Sequence, residues 1–297
     1  MRKILLIVNP IAGNGHTLKK LPEVKSYFNT HADCVSLSIK ISRFKNDISM
    51  TAREYYDKGY REFLVMGGDG TISELINGLA HVRDSSIKIG IFPHGTGNDF
   101  VKSLYGKFQI NSFLKSIIED KTKLIDIGKV NNHYFINSCT FGIDGPIIRQ
   151  TDSLKKKIPG SLTYYFSTVK EGIIFKAKPV KINIDGTTIE GKKILVAICN
   201  GKYIGGGMKI APNANLNSGD FKICIISNVN KGKFVRHIKK VYNGSLNEMQ
   251  EVSYYNGKQI TIEVLNGKYD INVDGNLVDE TPAKISIIKN AIKVFST

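Results

Sequence analysis

Three glycine-bearing turns carry the residue types best suited to chemistry. They read Asn9-Pro10-Ile11-Ala12-Gly13, Gly67-Gly68-Asp69-Gly70-Thr71 and Pro93-His94-Gly95-Thr96-Gly97-Asn98-Asp99-Phe100. Glycine permits positive φ and lets backbone approach a ligand closely. Amides that open a helix after such a turn point at an anion, and the helix dipole favours one there. Thr71 adds a hydroxyl, and Asp69 a carboxylate able to organise a divalent cation. Three such turns at one sheet edge would cradle a triphosphate. One Gly-Gly pair alone would read as a tight turn. Three turns holding Asn9, Asp69, Thr71, Thr96, Asn98 and Asp99 are harder to explain that way. Neither GxxxxGK[ST] nor a GxGxxG after the first strand occurs, so the usual P-loop and dinucleotide mechanisms are excluded.

The elements that must position these turns follow from periodicity. Short apolar runs at 3–8, 63–66 and 87–92 read as buried strands, each leading into one of the turns. Helical patterns over 18–28, 47–58 and 72–79 alternate with them, which predicts a parallel α/β domain. Ligands in such sheets sit at the carboxyl ends of the strands, where all three turns fall. Beyond about residue 125 the texture changes. Strand-like runs at 129–141, 180–184, 193–200, 221–226, 259–264 and 269–273, with Asp185-Gly186 and Asp274-Gly275 turns, predict a mostly antiparallel, β-sandwich-like domain over 126–297. One helix interrupts it. Leu162, Tyr165, Phe166, Val169 and Ile173 form one apolar stripe, expected to pack on the β domain.

Composition bounds the rest. The 297 residues suit about two domains. Forty-two basic against 26 acidic residues give a net charge of +16, which asks for an acidic partner. Thirty-five of the cations are lysines, and no nucleic-acid readout motif appears, so nucleic acid is not expected. Cys34, Cys139, Cys199 and Cys224 form no CxxC pair and read as buried, reduced thiols of a cytoplasmic protein. No apolar run reaches the roughly 20 residues of a membrane span, so any membrane contact is expected to be peripheral.

The three turns, in this order, with Asn200-Gly201-Lys202-Tyr203-Ile204-Gly205-Gly206-Gly207-Met208-Lys209-Ile210-Ala211-Pro212, resemble the diacylglycerol kinase catalytic-domain family, which includes bacterial lipid kinases and sphingosine kinases. The likeness runs over almost the whole chain. It implies an N-terminal α/β nucleotide domain over 1–125, a C-terminal β-sandwich lipid domain whose end packs back on the first, and ATP with Mg2+ in the cleft between them. By motif, Asn9, Pro10, Ile11, Ala12, Gly13, Ser42, Gly67, Gly68, Asp69, Gly70, Thr71, Thr96 and Asn98 would bind nucleotide. Asp69, Asp99 and Asp126 would form a metal-organising network, although Asp126 reads equally as a turn aspartate.

Two departures stand out. The family's Asp-Gly-Glu motif, which holds its general base, here reads Asp274-Gly275-Asn276. Asp274 can accept a proton and Asn276 cannot. Second, the structural Mg2+ site reads Asn217-Ser218-Gly219-Asp220, with Asn215, Ser218 and Asp220 as candidate ligands. Hard cations prefer carboxylates, and Ser218 supplies none.

The densest cationic stretch is 149–181, which holds Lys155, Lys156, Lys157, Lys176 and Lys178 beside the amphipathic helix. Those lysines are expected to face an anionic membrane. The leading expectation is an ATP-dependent kinase of a lipid hydroxyl, peripheral to the cytoplasmic membrane face. The alternatives are an NAD kinase-like enzyme with a soluble acceptor and a degenerate nucleotide-binding regulator. The identity of the lipid is left open, and so is oligomeric state, a homodimer included.

Overall fold

The computed structural model describes residues 1–82, 84–154 and 160–296. The chain divides into two units, Met1–Asp126 with Lys289–Thr297, and Ile127–Ile288.

Unit 1 is built on a parallel sheet of β1 (Arg2–Val8), β2 (Val35–Ile41), β3 (Glu62–Gly67) and β4 (Lys88–Pro93), in the order β2-β1-β3-β4. The end of the last strand of the chain adds in parallel beside β4 through Lys293 and Val294. Helices α1 (His16–Asn29), α2 (Asp47–Asp57), α3 (Asp69–Leu79), α4 (Asp99–Tyr105) and α5 (Ile110–Ile118) connect the strands. Burial explains the strand sequences. Ile4 through Val8 and Phe63 through Met66 are wholly inaccessible, so every position must be apolar rather than every second one. Phe28, Phe92, Phe113 and Phe295 fill the layer between sheet and helices.

β5 (Thr122–Val130) leads into unit 2, which is antiparallel. Its strands are β6 (His133–Phe135), β7 (Ser138–Gly142), β8 (Lys178–Ile184), β9 (Thr187–Cys199), β10 (Phe221–Ser227), β11 (Val252–Gly257), β12 (Gln259–Val264), β13 (Asp270–Val273), β14 (Asn276–Glu280) and β15 (Ala283–Phe295). The ladder runs β14-β13-β7-β9-β8-β12-β15, and β10 joins β9 to β11. Alternate inward residues, among them Phe135, Phe141, Val196, Ile198, Phe221, Ile260 and Ile285, make its core. Three helices belong to this unit: α6 (Asp144–Leu154), α7 (Gly160–Ile174) and α8 (Lys231–Asn243).

α7 corrects a sequence expectation. Of its apolar stripe Tyr165, Phe166 and Ile173 are exposed and Val169 is partly accessible, while the Leu162 side chain lies outside what is described. Phe166, Ile173 and Ile174 are 54%, 43% and 53% exposed, while Thr163, Ser167, Thr168 and Glu171 are buried. Beneath the helix the Tyr164 hydroxyl donates to the buried Asp144 carboxylate at 2.5 Å, and that carboxylate also binds Thr140 and Asn272. Of the buried hydroxyls, Thr168 donates to the Tyr164 carbonyl of its own helix, and Ser167 finds no partner among the described residues.

The lysine and thiol expectations are also modified. Lys155, Lys156 and Lys157 lie outside the described residues. Lys176 is exposed. Lys178 is not a free surface cation: its ammonium donates to the Lys268 carbonyl at 2.7 Å and lies 5.4 Å from the Tyr269 ring centre. Cys139, Cys199 and Cys224 are buried, where loss of solvent pushes their thiols up, but Cys34 is exposed.

Candidate active site

In unit 1 the turns converge as a rim along the carboxyl ends of β1, β3 and β4. The Asn9 amide donates to the Met66 carbonyl, and the His94 amide to the Gly67 carbonyl at 2.7 Å. The contacts are too close for side chains. A Cβ on Gly95 would stand 2.5 Å from the Gly68 Cα, and one on Gly13 would stand 2.3 Å from the His94 carbonyl oxygen. Gly13 also holds φ +57°, which favours glycine. The glycines therefore let three separate turns lie against one another.

Side chains complete the rim. The Asn9 side-chain amide donates to the Thr71 hydroxyl at 3.2 Å, and its Oδ1 accepts from the Ile11 amide at 3.2 Å. Pro10, Ala12 and Gly13 are partly accessible, and Ile11 is exposed. Ser42 is seated beside them because its amide donates to the Val8 carbonyl at 2.9 Å. α3 begins at Asp69 directly after Gly68; the Thr71 and Ile72 amides close onto the Gly68 carbonyl, and those of Asp69 and Gly70 lie at the rim. Asp69 is half-buried. One oxygen accepts from the Phe100 amide at 3.0 Å, and the other takes no hydrogen bond from the described residues. Gly70 and Thr96 are exposed. Asn98 is spent internally: it accepts from the Gly95 amide and donates to the Gly95 carbonyl, so it shapes the third turn. His94 is half-buried, and burial, with Lys20 and His16 nearby, lowers its pKa, which favours the neutral ring.

No three of His, Cys, Asp or Glu gather to hold a metal directly among the described residues, Asp69, Asp99 and Asp126 included. Asp99 is buried at the start of α4 and lies 3.7 Å from the Lys102 ammonium. Asp126 is buried and accepts from the Asn290 amide at 2.8 Å, a strand-to-strand tie. Asp69 keeps one carboxylate oxygen without a hydrogen bond from the described residues.

Unit 2 presents a second carboxylate, Asp274, in the β13–β14 turn. It is buried, and its oxygens accept from the Ile136, Asn137 and Ser138 amides at 2.9, 3.0 and 2.9 Å. Asn276 begins β14 and is exposed. The loop that Asp274 grips is tied onward. Asn137 donates to the Tyr203 carbonyl, and Asn200 to the Ile136 carbonyl. The Asn200–Gly207 segment is thereby held beside Asp274.

Two residues from Asp274 along β13, Asn272 pairs with Thr140 of β7 and donates to the Thr140 hydroxyl and to Asp144. Asn272, Thr140, Asp144 and Tyr164 thus form a polar group continuous with the Asp274 turn. Sequence reasoning missed it. Only the alternation of Asn272 with Asp274 could have hinted at a shared face.

In the candidate metal loop the Ser218 hydroxyl lies 3.0 Å from the Asn215 carbonyl oxygen and 2.9 Å from that of Asp220, with one proton to share between them. With Asp220 the sole carboxylate of the set, these residues do not fit a hard divalent ion.

Comparison with known proteins supplies the context. The family described as the diacylglycerol kinase catalytic domain matches residues 3–130, and the YegS C-terminal NAD kinase beta sandwich-like domain matches 137–296. A diacylglycerol kinase of Staphylococcus aureus (strain bovine RF122 / ET3-1) is 29% identical over 300 residues, covering 99% of this chain and 92% of that protein. One from Staphylococcus haemolyticus (strain JCSC1435) is 29% identical over 295 residues, covering 99% and 88%. The crystal structure of a diacylglycerol kinase from Bacillus anthracis str. Sterne superposes with a TM-score of 0.78 at 27% identity, covering 100% of this chain and 97% of that one. With the glycine rim, the antiparallel second unit and both family matches in place, the chain belongs to the diacylglycerol kinase family.

Proposed function

We propose that this protein transfers the γ-phosphoryl group of ATP to the hydroxyl of a membrane lipid, diacylglycerol or a relative, with Mg2+ as cofactor. The observation that carries the reading is the unit 1 rim. Three turns in backbone contact present the Asp69 and Gly70 amides of α3 and one half-open carboxylate. Such amides bind phosphate oxygens and need no reorganisation as charge shifts during transfer. Asp69 suits an ion that arrives with its nucleotide, because Mg2+ bound to phosphates takes one or two carboxylates and keeps waters. When bound, that ion neutralises charge developing on the phosphoryl oxygens.

Unit 2 supplies the acceptor side. Three amide bonds hold the Asp274 carboxylate still. A loose transition state asks little of the acceptor-side group, because little bond to the acceptor has formed when the old one breaks. Asn276 takes no part in this scheme.

The test is a kinase assay with ATP, Mg2+ and a lipid panel in mixed micelles, read by product mass. A phosphorylated lipid is the expected product. Phosphorylated NAD without lipid would establish the soluble-acceptor alternative. Nucleotide binding by calorimetry with no product from any acceptor would establish a regulator.

A further inference from the structure

α7 is an inside-out helix in water. It buries Thr163, Ser167, Thr168 and Glu171 and exposes Tyr165, Phe166, Ile173 and Ile174. Burial of hydroxyls in place of phenyl and butyl groups runs against the hydrophobic effect. The exposed face therefore calls for apolar surroundings outside the protein.

α8 lies alongside and extends that face. A Cβ on Gly172 would stand 2.0 Å from the Phe234 ring, so the missing side chain is what lets the two helices meet closely. Tyr165 and Tyr242 are in ring contact at 6.3 Å. Lys231, Val235, Lys239 and Tyr242 fall at i, i+4, i+8 and i+11, one stripe of α8, which places Val235 and two cations on the Tyr165 side. Val235, Lys231, Arg236 and Lys239 are exposed, as is Lys170 on α7. Across both helices the single acidic residue is Glu171, and it is buried.

Aromatic and branched apolar groups ringed by cations, with no exposed acid among them, match one kind of partner. We infer that the outer faces of α7 and α8 dock on an anionic phospholipid membrane, Phe166, Ile173 and Ile174 entering the acyl boundary and Lys231, Arg236 and Lys239 meeting the headgroups. This rests on the lipid-kinase reading and names the partner surface of that reading. It adds α8 cations to the exposed Lys176 of the expected docking set. A second copy of the chain is a poorer fit, because self-association would set the α8 cations against one another.

The test measures co-sedimentation with vesicles of phosphatidylcholine alone and with phosphatidylglycerol added, without ATP, so it does not depend on turnover. Wild type should bind the anionic vesicles and lose more than about tenfold in affinity when salt is raised from about 0.05 to 0.5 M. Lys231→Glu/Arg236→Glu/Lys239→Glu should weaken binding about 100-fold. Phe166→Ser/Ile173→Ser/Ile174→Ser should weaken it about tenfold or more while preserving nucleotide binding and circular dichroism. Wild-type binding by the charge-reversal variant overturns the inference. So does a dimeric wild type that the apolar variant renders monomeric with vesicle binding unchanged. Lipid phosphorylation in micelles without vesicle binding removes the docking surface and leaves the kinase. Vesicle binding without product from any lipid does the reverse.

Discussion

Asp69 and Asp274 are both aspartates at tight turns, one in each unit, and the backbone treats them differently. Asp69 gives one oxygen to the Phe100 amide and keeps the other open. Asp274 receives three amides and is buried. The rim of unit 1 is built by steric absence: glycines let backbones touch, and little side-chain bonding is needed to hold the Asp69 carboxylate. The turn of unit 2 is built around its carboxylate. Removing Asp69 should therefore cost chemistry, whereas removing Asp274 should cost structure first.

The largest expected effect tests the first half. Asp69→Ala should reduce turnover by about 10^3-fold or more, since the open carboxylate is assigned to the nucleotide's cation. Stability should change by less than about 1 kcal/mol, because one amide bond at a partly exposed site is lost. Turnover within tenfold of wild type would end the role given to Asp69.

Asp274→Asn is the matching experiment in unit 2. The amide group keeps one acceptor oxygen and sets an N–H against an amide that had been accepted. A loss of about 2–4 kcal/mol in urea unfolding is expected, from charge-assisted bonds broken at a buried site. Turnover should fall as well, with the folded fraction held constant by working below the transition. Unchanged stability with lost turnover would show a free base and collapse the contrast.

A smaller effect is expected at His94. Burial lowers its pKa in the folded state. At pH 7.5 the ring is neutral in both folded and unfolded chains, so it contributes nothing to pH dependence there. As pH falls through about 6.5 the unfolded chain takes the proton first, and stability drops until the folded pKa is passed. A phosphate at the rim would act in the opposite sense by favouring the charged ring. Nucleotide binding near pH 6.5 should then take up more protons in wild type than in His94→Gln, measured by calorimetry in buffers of different ionisation enthalpy. Equal uptake would place the phosphates away from the third turn.

What the sequence disclosed follows the range of the forces involved. The glycine turns were legible because their requirement is local: strand, Gly, polar residue, helix. That Gly68 touches Gly95 was not legible, since the pair is joined by folding alone. Periodicity gave the α7 stripe but not its direction. Direction depends on contacts remote in sequence, such as the bond from Tyr164 to Asp144, which periodicity does not show. The partners of the expected aspartates were not legible for a similar reason. Spacing cannot tell that the Asn290 amide claims Asp126, or that Lys102 sits beside Asp99.

The smallest effect is expected where the family pattern is broken most visibly. Asn276 is exposed at the head of β14, one residue beyond the Asp274-Gly275 turn. Its strand partner is Val273, and the three amides that organise the turn all go to Asp274. A glutamate there would enter solvent and disturb no buried bond. Asn276→Glu should change stability by less than about 0.5 kcal/mol, as for other exposed substitutions. Turnover on lipid micelles should stay within about threefold of wild type. Such a result would mean that the acceptor-side carboxylate is already complete in Asp274. A gain of 100-fold would mean the opposite: the amide-locked Asp274 is a scaffold, and the proton acceptor of this site has been lost from the natural sequence.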